Sequence, residues 1–200
     1  MTKREELYLK GMGMIKQFAE LNNIDISDID FFVRYNKKEC PNGFNRYVNY
    51  SGLCIYKTKR KNHYIIFVNL PKSACEANKP TAFNSNHVHW FVDRTPCGIV
   101  CHEFGHYLHD KLTNCKLVLP KEKQITSYEP DYCERFAESI KLFITNPDLL
   151  KQYNPKRYDV IVNKLKLKPI TNKSYIEVFK EYNMHEIYYE RAKKRIEKEV

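Results

Sequence analysis

Apolar residues recur at helical spacing through the first twenty-two positions: Leu7, Leu9, Met12, Met14, Ile15, Phe18, Ala19 and Leu21 are set among charges. That pattern predicts an amphipathic helix over residues 3–22, followed by a polar link at Asp25, Ser27 and Asp28. From residue 30 to 70 the texture changes. Residues 31–35, 46–50, 53–57 and 63–70 read as strands, with a break at Ser51-Gly52 and a stop at Pro71. Residues 57–62 form a basic turn, and residues 71–96 read as loop except for an apolar strand at 88–92. Thr95 and Pro96 then suit the N-cap and first position of a helix running from Cys97 to about Leu112. Gly105 inside it costs about 1 kcal/mol relative to Ala, which predicts close packing there against another element.

A second helix begins near Asp131, carries Phe136, Ile140 and Phe143 on its apolar face, and is stopped by Asn146-Pro147. Residues 149–153 extend that stop. Pro155 opens a further helix to about Leu167, and residues 173–199 read as a long charged helix. The expected fold class is α+β: a small mixed sheet followed by two central helices and a helical C-terminal region. We expect a single domain over 1–200, with a helix-plus-sheet part (1–95), a two-helix part (96–150) and a helical part (151–200).

Composition adds limits. A hydrophobic share of 42% with 14% aromatics excludes a disordered chain. No run approaches the roughly 18 apolar residues of a membrane span, and the charged start resembles no secretory segment. The expectation is a soluble, intracellular (cytoplasmic) protein, with virion association as a further option. Seven irregularly spaced cysteines fit reduced thiols better than a disulfide framework. Cys97 and Cys101 read as small buried residues on one helix face. The net charge is +10, yet residues 101–150 carry 6 basic against 8 acidic residues, so the acidic balance falls on the two central helices. The basic flanks, including Lys59-Arg60-Lys61 and Arg191 to Arg195, could draw nucleic acid or acidic partners. Solvated lysine-rich surfaces are the commoner outcome.

The chemistry concentrates in Cys101-His102-Glu103-Phe104-Gly105-His106. His-Glu-x-x-His places two imidazoles one turn apart on one helix face, where both can reach a single metal ion. Glu103, rotated by about 100°, can reach a metal-bound water without being a ligand. Zinc would bring that water's pKa to about 7, and Glu103 would take its proton and pass it to the leaving amine. A third protein ligand is needed. His109 is unsuited, because it lies about 10 Å along the axis from His102; it belongs behind the site or on the surface. His87 and His89 share a strand face and could add ligands, although a substrate-side or structural role is commoner, and His63 reads as a surface residue. Glu134 and Glu138, four apart on the second helix, suit one carboxylate on the metal and one behind it.

His102-Glu-Phe-Gly-His106, then Ser127-Tyr128, then Glu134-Arg-Phe-Ala-Glu138 resembles the catalytic segment of gluzincin metallopeptidases of the anthrax lethal factor type, which include the Pro-Pro endopeptidases. The Glu-x-Phe-Ala-Glu and Leu-Phe-x-Thr-Asn-Pro elements also resemble inferred metallopeptidases of phages and large viruses. The resemblance covers about residues 96–150. It implies a zincin-like fold, a Zn2+ cofactor held by His102, His106 and Glu134, and Glu103 as general base. It further implies that Glu138 stands behind the ligands and that the Tyr128 hydroxyl assists the tetrahedral intermediate. The expected substrate is a protein or peptide added to a sheet edge, at residues 88–92 or 63–70. Two other readings compete. One is a protease of the SprT group, which expects a third His downstream, whereas residues 110–184 contain none. The other is a basic nucleic-acid-binding or virion structural protein with a vestigial zinc site.

Overall fold

The computed structural model describes residues 1–41, 43–56, 63–75, 93–122 and 128–181. Helix α1 (Lys3–Leu21) starts at a capping box, in which Thr2 accepts from the Glu5 backbone and the Glu5 side chain accepts from the Thr2 N–H. Strands β1 (Ile29–Arg34), β2 (Gly52–Ile55) and β3 (Tyr64–Asn69) follow. Helices α2 (Pro96–Thr113), α3 (Tyr132–Thr145), α4 (Pro147–Tyr153) and α5 (Pro155–Asp159) come next, then a π turn at Val160–Lys164 and α6 (Tyr175–Glu181). The fold is therefore mixed α+β, with a small mixed sheet preceding the central helices. The predicted strand at 88–92 with His87 and His89, the cluster Lys59 to Lys61, Ser127, and everything after Glu181 lie outside the described residues.

The three strands form one sheet in the order β1-β3-β2, parallel between β1 and β3 and antiparallel between β2 and β3. Residues 63–70 therefore hold the centre of the sheet and offer no edge for a peptide, contrary to expectation. Their near-continuous apolar run fits burial on both faces. The strand expected at 46–50 is also absent. Asn45–Tyr47 is a 3-10 turn, because Phe44 folds back onto Phe67 with ring centroids 4.8 Å apart and nearly parallel. The buried Asn69 side chain then donates to the carbonyls of Val48 and Tyr50, supplying the pairing a neighbouring strand would give.

Helix α2 is the centre of the molecule, flanked by α1, β3 and α3. Phe104, Tyr107, Leu108 and Val100 are wholly buried on it, and Phe18 of α1 meets both Phe104 and Phe143 of α3 edge-on. Gly105 is explained by this layering: a Cβ there would come within 2.7 Å of the Ala137 Cα on α3. The two helices thus cross at backbone contact. The stop after α3 is itself helical, since the Asn146 side chain caps α4 through the Leu149 N–H. No helix among the described residues is long and apolar enough to cross a membrane.

Candidate metal centre

Each helix presents its candidate side chains for a local reason. Thr95 caps α2 through the Gly98 N–H, with Pro96 opening the first turn, and the rigid helix carries His102 and His106 one turn apart. Asp131 caps α3 through the N–H groups of Cys133 and Glu134. That cap puts Glu134 in the first turn and Glu138 one turn later. The Gly105–Ala137 crossing then brings the two helix faces together.

Three atoms converge there. The Nε2 atoms of His102 and His106 are 3.1 Å apart, and Glu134 Oε2 lies 3.0 Å from the first and 3.3 Å from the second. Glu134 Oε2 is buried within hydrogen-bond reach of both rings, yet without the alignment of a hydrogen bond to either. The set aims its lone pairs at a common point, as residues that could hold a metal ion do. Behind it, His102 Nδ1 is 2.7 Å from Glu138 Oε1. An ionised carboxylate only accepts, so Nδ1 carries the proton, and in the neutral ring Nε2 is left with its lone pair toward the centre. Glu138 is buried, and both of its oxygens accept from Lys141 Nζ at 2.7 and 2.6 Å.

The metal-free charges follow from these contacts. Burial disfavours charge on His102, but the carboxylates of Glu134 and Glu138 outweigh it and bring the imidazole up to about 10. Burial likewise raises both carboxylates, yet the two histidines hold Glu134 at about 2, and Lys141 with His102 holds Glu138 at about 2. Glu103 moves upward: burial raises it, His102 and His106 oppose that rise, and Glu134 adds to it. The Glu103 carboxylate sits under β2, where Gly52 leaves room for it and the Cys54 N–H supports it.

These side chains line a cavity of about 650 Å³, walled on one side by the helices and on the other by the segment from Asn49 to Cys54. Tyr128 also lines it, half-exposed, with its ring 6.0 Å from that of His102. Burial, together with Glu134 and Glu103, raises the Tyr128 hydroxyl above its ordinary value, so it stays protonated.

The described structure thus brings together His102, Glu103, His106, Tyr128, Glu134 and Glu138. His109 stands apart, and on neither of the expected places. It is fully buried, stacked on Phe136 at 4.2 Å, and its Nε2–H donates to the Leu117 carbonyl. His63 is partly buried instead of exposed. Two participants escaped sequence reasoning. Lys141 was one, although its place three residues after Glu138 was a usable signal. Gly52 looked like a strand break, and nothing local could reveal that it packs on Glu103. No protein-family model matches the chain, and no curated protein or solved structure matches it.

Proposed function

We propose that the protein is a zinc-dependent endopeptidase of the gluzincin kind, with His102, His106 and Glu134 holding the ion. The observation that carries this reading is the convergence of two imidazole nitrogens and one carboxylate oxygen, 3.0 to 3.3 Å apart, beside a buried glutamate. Donor atoms bonded at 2.0–2.1 Å to a tetrahedral zinc are spaced by roughly 3.3 Å, so the residues present fit the ion. Their N,N,O chemistry suits it too, and the Glu138 contact to His102 Nδ1 is the usual outer support of such a ligand. Bound there, zinc supplies a Lewis acid and brings the ionisation of water close to neutral pH.

The chain's own residues would divide the remaining work. Glu138, locked by Lys141, holds the His102 ring in one tautomer and orientation. Glu103 is the general base, taking a proton from the attacking water and delivering it to the leaving amine. Its raised pKa moves it toward the range where a carboxylate can do both near neutral pH. The protonated Tyr128 hydroxyl can donate to the oxyanion that develops at the scissile carbonyl. An extended peptide would dock along β2, since β3 is internal and β2 is the strand that borders the cavity.

Zinc content and peptide cleavage, measured together on the wild type and on Glu103→Gln, test this reading. We expect about one zinc per chain in both proteins and a fall in cleavage of roughly 100-fold or more in the variant. A wild type that binds no zinc, or a Glu103→Gln protein that still cleaves, would refute it.

A further inference from the structure

Tyr128 is immediately followed by Glu129, whose carboxylate does not face the cavity. Glu129 Oε1 instead accepts from Arg157 Nη1 at 2.8 Å, with both side chains 2% exposed. Its other oxygen lies 3.9 Å from Arg135 Nε on α3. Arg157 belongs to α5, well away from the metal ligands in sequence, and it grips more than Glu129. Its Nε donates to the Pro120 carbonyl at 3.1 Å and its Nη2 to the Glu122 carbonyl at 3.4 Å. Its backbone N–H donates to the Glu122 carboxylate at 3.0 Å. One guanidinium therefore ties down the chain at 120–122 and again at 129, on both sides of the segment that leads into Tyr128.

Such a pair is a poor device for stability alone. Desolvating two charges offsets much of their attraction, and a well-packed apolar pair in the same volume is often as stable. What the pair supplies is geometry, because a planar fork fixes its acceptors in distance and direction. We propose that the buried Arg157–Glu129 pair positions Tyr128 over the metal centre, making Arg157 a positioning residue for a reaction it never touches. This rests on the zinc peptidase reading, in which the Tyr128 hydroxyl assists the oxyanion. Helix α5 then has a role in the site, since it carries the guanidinium that holds Glu129 next to Tyr128.

The test is a double-mutant cycle on the zinc-loaded protein, using Glu129→Gln, Tyr128→Phe and the two together. Glu129→Gln should lower kcat by about 10- to 100-fold, the loss expected when a catalytic group is misplaced by about 1 Å. KM should stay within about twofold and zinc content should be unchanged. In the Tyr128→Phe background the same change should have no further effect on kcat. If Glu129→Gln does not fold, the paired replacement Glu129→Leu with Arg157→Met removes both charges at once and should show the same coupling. A second readout needs no activity. In the metal-free protein with isotope-labelled tyrosine, the ring resonances lost in Tyr128→Phe should shift in Glu129→Gln. Equal losses in both backgrounds, an unchanged kcat in either single variant, or an unshifted Tyr128 resonance would overturn the proposal. A wild type without zinc would instead remove the peptidase reading, and the resonance measurement would still decide the positioning.

Discussion

Replacing Gly105 by Ala tests the geometry on which the proposed metal centre depends. The added methyl would sit 2.7 Å from the Ala137 Cα and 2.8 Å from its carbonyl oxygen, both rigid backbone atoms. Ordinary contact begins near 3.4 Å, so α2 and α3 must part by about 0.7 Å at the crossing. His102 and His106 lie on one side of that gap and Glu134 on the other. A protein metal site tolerates about ±0.2 Å in its bonds, so Glu134, the proposed third ligand, should be pulled out of range. Zinc affinity should then fall by at least the roughly 10- to 100-fold typical of losing an outer support. Stability should respond more weakly. Overpacking costs about 1–3 kcal/mol, while Ala in place of Gly returns about 1 kcal/mol of helix propensity. The net is a loss of between about 0 and 2 kcal/mol, or up to roughly 8 °C in the melting temperature of a chain this size. The assay is chelator competition for zinc together with thermal unfolding of the metal-free protein. Gly13→Ala is the control, because nothing lies within 4 Å of its added methyl; it should raise the melting temperature by a few degrees through propensity alone. A Gly105→Ala protein with wild-type zinc affinity and a higher melting temperature would refute the argument.

Two further outcomes follow from the same contacts. Gly52→Ala would place a methyl 2.5 Å from both Glu103 Oε1 and Ile99 Cγ2, so the proposed base should be displaced; kcat should fall at least about tenfold with zinc content kept, as peptide kinetics and metal analysis would show. The metal-free protein should be most stable between about pH 4.5 and 6.5. Glu138 is depressed from 4.5 to about 2, so its contribution is present above 4.5 and is lost as pH falls through 2. His102 is raised from 6.5 to about 10, so its contribution is present below 6.5 and is lost as pH rises through 10. Denaturant unfolding across pH in the presence of a chelator would show both limbs, and Glu138→Gln should flatten them. A profile that is level from pH 6.5 to 10 would contradict the charge assignment.

The sequence by itself determined the elements whose signals are local. The capped start at Thr95-Pro96, the helical period and the stop at Asn146-Pro147 located α2 and α3 to within a residue or two, because caps and breakers act over one turn of chain. The spacing of His102 with His106, and of Glu134 with Glu138, fixed which side chains share a helix face, since a helix imposes that face on any sequence. Gly105 even announced a close crossing. Tertiary structure decided the rest. Which helix Gly105 meets, and hence that Glu134 completes the set while His109 turns away to stack on Phe136, depends on how two helices are laid together across a loop. The order β1-β3-β2 gave the cavity wall to β2 instead of to the more apolar β3, because pairing partners are chosen across the chain. Arg46 to Tyr50 had strand composition, but the burial of Phe44 and the side chain of Asn69 outweighed it. Glu103 meets Gly52 and Glu129 meets Arg157, each far off in sequence, and only folding can bring such residues within contact distance.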